Sequence, residues 1–449
     1  LSSYVNYKPA MVDFGCWQRC DNLAHHEWVQ QELLAFLHLE DIAHVTCSCR
    51  SGLGAQLKGQ LWASHIYVHA GNVESALAGV AQQAVRSLDA EVENTQMFTL
   101  LLLAAANMPQ IRHVMLKLST PCSGNRIERV DADSQDYAMA RALEQLLQRS
   151  VLQSLELVFF DSEGLRSRCT QRLFSGLQRL SSLQHLYLYS VSFQGLDILS
   201  LASSIQEALS TQKLKSFHLC FPTPGIWGPL LRAVLNGLEH HHGLEILELE
   251  YCSIQASSRR FLFDKIAGMS RLLTLSLSGN EALFDGDEDH RLVLPASLRR
   301  LALRECGLDS EGPLEIVKKM LASPAPAIER IDLRFNTFKS IAGLVDVLIH
   351  DHSSGLVEVD LFQCGLKAAS LPALKELVLG LPLLKSLHLG NNDFMDEIVV
   401  LLHTLSELKH LELVILGSRH PDYQPSQDTR NQFFLALGNR FSGGKVSFL

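Results

Sequence analysis

Clustered positive charge is missing from this chain. Its 39 lysines and arginines are spread over 449 residues and outnumbered by 48 acidic residues, for a formal net charge of −9. Nucleic acids and anionic membrane surfaces recruit proteins through dense Lys/Arg patches, so neither is expected as a partner. No apolar run approaches a bilayer-spanning length; the longest, Met97 to Met108, is far too short. The ten cysteines are scattered rather than framed, no N-x-[ST] acceptor occurs, and no charged n-region with an apolar h-region follows Leu1. These absences point to a reducing, intracellular compartment, cytoplasmic or nuclear.

Signatures of catalysis and of ligated cofactors are lacking as well. There is no G-x-S-x-G elbow, H-E-x-x-H helix or G-x-G-x-x-G turn. The Gly438 to Lys445 stretch has the glycines of a phosphate-binding loop, but the Ser or Thr required after the Lys is replaced by Val446. Asp285 to Asp289 is acidic enough to suggest calcium, yet His290 and Ala296 occupy the Gly and carboxylate places of an EF-hand loop, so a solvated loop is expected. Cys16, Cys20, His25 and His26 have no second ligand pair nearby, Cys47 and Cys49 fall on opposite sides of a helix and are expected to include one packed thiol, and the His240-His241-His242 triplet closes a helix. The expectation is a protein that is not an enzyme and holds neither metal nor cofactor.

What the chain does have is a repeat. The pattern L-x-x-L-x-L recurs at Leu152-Leu155-Leu157, Leu183-Leu186-Leu188, Leu214-Phe217-Leu219, Leu244-Leu247-Leu249, Leu272-Leu275-Leu277, Leu298-Leu301-Leu303, Ile328-Ile331-Leu333, Leu356-Val359-Leu361, Leu384-Leu387-Leu389 and Leu408-Leu411-Leu413. A weaker version, Ile111-Val114-Leu116, lies upstream. Steps between central residues run 31, 31, 30, 28, 26, 30, 28, 28 and 24. Five residues beyond the centre stand Cys252, Asn280, Cys306, Asn336, Cys364 and Asn392 in alternation. A small side chain at that place can bond the backbone of a turn leaving a short strand, and stacked copies would form a ladder. Between these strands the spacing becomes helical, as in Leu314-Val317-Leu321 and Ile341-Leu344-Leu348. Pro222, in a ladder position, and the stretch Phe221 to Pro229 predict a distorted turn or a protruding loop.

Period, apolar positions and the alternating Cys and Asn together resemble the ribonuclease-inhibitor class of leucine-rich repeats over residues 150–416. The resemblance implies an α/β solenoid, a horseshoe with parallel β-strands on the concave face and helices on the convex face. Since no unit can bury its apolar side alone, neighbours must stack. Residues alternating with the leucines then line the concave face. Those expected to contact a protein partner are Tyr187, Tyr189, His218, Glu248, Glu250, Tyr251, Arg304, Asp332, Arg334, Asp360, Phe362 and His388. Aromatics, arginines and carboxylates together are the mixture that protein interfaces favour.

Residues 27–68 read as two or three short helices ending near Trp62. Phe36-Leu37-His38-Leu39-Glu40-Asp41-Ile42, then Val45, Cys49-Arg50-Ser51 and Leu61-Trp62, resemble an F-box. The usual Leu-Pro opening is replaced by His26-Glu27, and Gly52 stands where Trp is usual. The resemblance implies docking onto the Skp-type adaptor of a cullin-based ubiquitin ligase through Leu33, Leu34, Leu37, Ile42 and Val45. The competing expectation is a stand-alone solenoid, scaffold or inhibitor, whose N-terminal helices only cap the first repeat. The expected organisation is a tail over 1–26, the F-box-like segment over 27–68, and a mostly helical or irregular lead-in over 69–150. Repeats follow over 151–416 and a C-terminal cap over 417–449. In the lead-in, Val73 to Leu88 and Tyr137 to Leu152 are the clearest helical runs; in the cap, Phe433 to Leu437 reads as a last helix and Val446 to Leu449 as a closing strand.

Overall fold

A computed structural model describes residues 65–69, 86–92, 95–119, 132–148, 151–159, 165, 167–191, 196–220, 228–239, 241–286, 292–321, 328–350, 355–407, 411–416, 426–433, 435 and 446–447. Among them run fourteen strands that form one parallel sheet in strict sequence order. They are β1 (His65–His69), β2 (Ser87–Val92), β3 (His113–Leu118), β4 (Ser154–Phe159), β5 (His185–Tyr189), β6 (Ser216–Cys220) and β7 (Ile246–Glu250). The series continues with β8 (Thr274–Ser276), β9 (Arg300–Ala302), β10 (Arg330–Asp332), β11 (Glu358–Asp360), β12 (Ser386–His388), β13 (Leu413–Ile415) and β14 (Val446–Ser447). β1 and β14 each have one neighbour, so the sheet is open.

Register shows why the leucines recur. Leu155 pairs with Leu186, Leu186 with Phe217, Phe217 with Leu247, and the same column continues through Leu275, Leu301, Ile331, Val359 and Leu387. All of these lie at 0 or 1% exposure, beneath the helices that return the chain from each strand to the next. These include α1 (Thr95–Asn107), α2 (Ala132–Leu147), α3 (Ser167–Leu177), α4 (Ile198–Ser210), α5 (Gly228–Leu238) and α6 (Ala256–Ala267). Further along come α7 (Glu311–Leu321), α8 (Ala342–His350) and α9 (Leu371–Gly380). The strand face away from them alternates, so that His185–Tyr189 reads exposed, buried, half-buried, buried, half-buried. Strands stack about 4.8 Å apart whereas helices need 8–10 Å, so the strand side becomes the inner wall of the curve. The short step from Leu275 to Leu301 has a physical cause: its return is a 3-10 turn, Glu281–Phe284, rather than an α-helix.

The turns that leave β5 and β7 to β12 are built alike. Ser190, Tyr251, Gly279, Glu305, Phe335, Gln363 and Asn391 all adopt positive φ, between 49° and 72°. Six of these seven are not glycine, and the left-handed region costs an L-residue roughly 1 kcal/mol. What holds them is hydrogen bonding that runs on past the strand. The amide of Glu305 donates to the Arg334 carbonyl (3.1 Å), that of Phe335 to Phe362 (3.1 Å), and that of Gln363 to Gly390 (2.9 Å). The next residue is the ladder residue. Asn336 Nδ2 donates to the carbonyls of Leu303 and Leu333 (2.7 and 2.8 Å), while its Oδ1 accepts from the amides of Cys306 and Leu308 (2.9 and 3.3 Å). Asn280 and Asn392 repeat the arrangement. The cysteines between them reach back in the same way: Cys306 Sγ donates to Leu277 O at 3.3 Å and Cys364 Sγ to Leu333 O at 3.2 Å. Gly307 follows Cys306 at φ +65°, where an added Cβ would lie 2.9 Å from the Glu281 carbonyl.

Three expectations are corrected. The last repeat is not Leu408-Leu411-Leu413: Leu387 pairs with Val414 and His388 with Ile415. The triplet is therefore Leu411-Val414-Leu416, whose residues are buried, while Glu412 is exposed. The lead-in over 69–150 keeps two long helices, α1 and α2, and carries two further strands, β2 and β3, between and before them. Leu88 sits in β2, not in a helix, and pairs with Val114 of the weak upstream repeat, which pairs in turn with Leu155. His65–His69 is itself a strand bonded to β2, so the sheet reaches into the end of the 27–68 segment. Near the C-terminus a described α-helix runs Gln427–Phe433, most of the expected Phe433 to Leu437 helix lies outside the described residues, and Val446–Ser447 pairs with β13 as the closing strand. Residues 1–64, with the expected helical unit and its docking positions Leu33, Leu34, Leu37, Ile42 and Val45, lie outside the described residues, as do Cys16, Cys20, His25, His26 and 221–227.

Replacing Asn336 by Ala removes two donated and two accepted bonds at a buried site, leaving backbone groups of two repeats unsatisfied. The Asn336→Ala variant is expected to lose roughly 2–3 kcal/mol of stability. Hydrogen exchange should localise the damage, with the Cys306 and Leu308 amides exchanging faster than those of β4–β6. Unchanged protection at those two amides would contradict the ladder.

Candidate partner-binding face

The inner face is a grid, because the sheet register places equivalent residues of successive repeats side by side. One row reads Glu156, Tyr187, His218, Glu248, Ser276, Ala302, Asp332, Asp360, His388 and Ile415. Its lower neighbour, before the apolar centre, carries Ser216, Ile246, Thr274, Arg300, Arg330, Glu358 and Ser386. Above it stand Tyr189, Cys220 and Glu250 in β5–β7, and then Ser278, Arg304, Arg334 and Phe362 just past the shorter strands.

The grid divides into two chemistries. Towards the C-terminal half, ions are paired with one another. Arg304 Nε donates to Asp332 Oδ2 at 2.5 Å, Arg334 reaches the same carboxylate at 2.8 Å and Asp360 at 3.3 Å, and Arg330 meets Glu358 at 3.3 Å. His388 Nδ1 lies 3.0 Å from Asp360 Oδ2, and Asp360 Oδ1 accepts from the Phe362 amide. Burial alone would raise the pKa of Asp332. The bonds from Arg334 and the charge of Arg304 outweigh it and hold the carboxyl below its ordinary value. Phe335 and Phe362 meet edge to face beside this network, centroids 5.7 Å apart. A shallow cavity of about 340 Å³ opens over the paired groups, from Glu248 and Glu250 across Arg304 and Asp332 to His388.

In the N-terminal half the pattern is aromatic and acidic. The His218 ring stacks on Tyr187 with centroids 3.8 Å apart and 22° between planes, and its Nδ1 is hydrogen-bonded to Glu248. His218 is nearly buried, and its Nε2 has no hydrogen-bond partner among the described residues. Glu156 is half-buried, and burial raises its pKa against the opposing pull of Lys117. Glu250 accepts from Ser276 Oγ at 2.6 Å, and Ser276 contacts Ser278. Tyr251 occupies the left-handed place of its turn with its ring over Gly279, where a Cβ would come within 2.3 Å of it. Burial, then the neighbouring Glu305 to which it is hydrogen-bonded, push the Tyr251 hydroxyl above its usual pKa.

All twelve positions expected to meet a partner fall on this face or at its turn edge. The structure brings Arg304, Asp332, Arg334, Asp360 and His388 into one bonded network, and Tyr187, His218 and Glu248 into another. Phe362 packs on Phe335 instead of joining either. Arg330 and Glu358 escaped the sequence reading, although their place just before the central apolar residue was a signal available to it. Cys220, Cys252, Cys306 and Cys364 are buried with thiol pKa values pushed up by burial, Cys306 to about 12, so they are packing and ladder groups rather than nucleophiles. His241 is likewise structural: its Nδ1 accepts from the Leu214 amide, which leaves Nε2–H to donate to Leu209 O. No group of three or more His, Cys, Asp or Glu that could hold a metal occurs among the described residues, nor a helix long and apolar enough to cross a membrane.

A parallel sheet of stacked L-x-x-L-x-L strands, sealed by an Asn and Cys ladder and backed by helices, is a leucine-rich-repeat fold. Over 167 residues, 35% of the chain, it is 30% identical to NACHT, LRR and PYD domains-containing protein 14 of Homo sapiens. The match covers only 15% of that relative's length. Among solved structures it is similar to the leucine-rich repeat-containing protein LegL7 of Legionella pneumophila, with 16% identity and a TM-score of 0.40 over 83% of this chain and 98% of that one. No protein-family model matches the chain.

The depressed pKa of Asp332 has a consequence for stability. A carboxyl whose folded pKa lies below its unfolded value stabilises the fold fully above the unfolded value, and that contribution is lost as pH falls through the folded one. The Asp332→Asn variant should therefore melt below the parent at neutral pH, and the gap should begin to narrow as the pH drops below about 4, the ordinary Asp range, and close only once it passes the lowered folded value. Melting temperatures of both proteins from pH 2.5 to 7 measure this; a gap independent of pH would contradict the ion-pair account.

Proposed function

We propose that the chain is a protein-recognition module that seats its partner on the inner face of the sheet. The supporting observation is the face itself. Along the repeats, side chains that point away from the helices form one continuous grid, rich in Tyr, Phe and Arg and pre-ordered by bonds between neighbouring strands. Anchors already held in one rotamer lose little entropy on binding, and these residue types dominate binding energy at protein interfaces. The partner-contact set is Tyr187, Tyr189, His218, Glu248, Glu250, Tyr251, Arg304, Asp332, Arg334, Asp360, Phe362 and His388.

On the F-box resemblance of residues 27–68 rests the finer reading, that this recognition serves a ubiquitin ligase. There the segment would dock a Skp-type adaptor through Leu33, Leu34, Leu37, Ile42 and Val45 while the solenoid holds the substrate. Because β1 begins at His65 and pairs with β2, a deletion reaching residue 68 would damage the sheet. Point variants of the full chain are the cleaner test. Purified Skp-type adaptor should be captured by the parent chain and at least about tenfold less by Leu37→Asp/Ile42→Asp, a loss near 1.4 kcal/mol. Absence of capture by the parent chain itself rejects the ligase role and leaves a stand-alone recognition scaffold or inhibitor.

A further inference from the structure

The two halves of the inner face differ in what their charges lack. In the C-terminal half the carboxylates of Asp332, Asp360 and Glu358 each have an arginine within 3.3 Å. On the inner face of β4 to β7 there is no Lys or Arg at all, yet Glu156, Glu248 and Glu250 stand there. One register row reads Glu156, Tyr187, His218, Glu248 across four adjacent strands, with a carboxylate at each end and two stacked rings between. Three inter-strand spacings put the strands bearing those carboxylates about 14 Å apart, a distance that an extended chain covers in about four residues.

Three observations on this row point to a cationic guest. The half-buried carboxylate of Glu156 accepts no hydrogen bond among the described residues, and the charge of Lys117 on neighbouring β3 lowers its pKa less than burial raises it; a partly desolvated anion without a donor is a costly arrangement that a bound cation relieves further. His218 is more than nine-tenths buried, and with Nδ1 bonded to Glu248 its Nε2 is left without a partner among the described residues, an acceptor site in the neutral imidazole. The stacked Tyr187 and His218 rings, with Tyr189 in the row above, offer aromatic surface to a guanidinium or ammonium. We propose that this row recognises a basic polypeptide segment, with Arg or Lys side chains seated at Glu156 and Glu248 and packed over Tyr187. The inference rests on the reading of the inner face as the partner site and adds the partner's charge. Steering should favour the same encounter, since the acidic half of the face attracts what the net charge of −9 already attracts.

The test is selection of a random dodecapeptide display library on the immobilised full chain, followed by hydrogen exchange of the chain with the best peptide bound. The expected result is enrichment of peptides carrying two or more Arg or Lys, protection of β4–β7, and binding at least about tenfold weaker to the charge-only variant Glu156→Gln/Glu248→Gln. That variant's own exchange pattern, matched to the parent's, shows that it folds. Acidic or uncharged peptides that protect other inner-face strands would overturn this inference and leave the recognition face standing. Protection confined to the outer helices would overturn both. Equal binding to parent and variant, or no enrichment over the variant, overturns the proposal alone.

Discussion

The structure from β7 onward depends on a single recurring interaction, a buried side-chain amide or thiol that closes the turn after each of the strands β7 to β12. A strand of three to six residues must end abruptly for a helix to return along the outer side, and an abrupt turn leaves backbone carbonyls and amides buried without partners. Asn280, Asn336 and Asn392 satisfy both kinds of group at once, donating to carbonyls on their own and the preceding strand and accepting from the preceding turn. Cysteine can donate but has no strong acceptor, which explains the alternation. Each Cys turn receives the carbonyl oxygen of the following Asn and passes its own thiol back to the strand before it. The repeats therefore couple in a direction, each Asn clamping the turn behind it.

That clamp also fixes the inner face. A residue held at positive φ immediately before the ladder position aims its side chain out of the sheet edge, and the chain places Tyr251, Glu305, Phe335, Gln363 and Asn391 there. Their conformational cost is met by amide bonds to the next repeat and by the buried ladder residue that follows. The face is thus stiff where it is most decorated, and Tyr251 and Phe335 stand on turns that cannot relax without unmaking a ladder rung. Gly279 extends the same logic, since the left-handed place in its own turn must also leave room for the Tyr251 ring.

The repeat core was legible in the sequence because a buried column leaves a strict signature: leucine in three fixed places and Asn or Cys in a fourth. Where the signature thinned, reading went astray for physical reasons. At the last repeat five apolar residues, Leu408, Leu411, Leu413, Val414 and Leu416, permit two registers three residues apart, and only the pairing of Val414 with Leu387 selects between them. The 24-residue step was the visible symptom, since it fell below every other interval. In β2 the second apolar place is Ala90, and the spacing from Leu88 to Val114 is framed by helix-rich sequence, so local periodicity suggested a helix where pairing with β3 imposes a strand. The inner-face residues followed directly from strand alternation. Their bonding could not, because whether Asp332 meets Arg304, Arg334 or both is decided by rotamers across three strands.

The contrast between the halves of the inner face is the point at which fold and recognition meet. A carboxylate on a parallel sheet has neighbours about 4.8 Å away on either side, near enough that an arginine at the next register place must pair with it. Stacking Arg304, Asp332, Arg334 and Asp360 in adjoining places therefore commits that half to an internal network, which stiffens the wall but spends its charge within the chain. Placing tyrosine and histidine between Glu156 and Glu248 does the reverse: the rings satisfy one another by stacking and keep the two carboxylates apart, with no built-in cation on their own strands. A partner that brought acidic groups to this row would meet repulsion from Glu156 and Glu248, whereas basic groups would bring opposite charge to both and donors to Glu156, which accepts no hydrogen bond among the described residues.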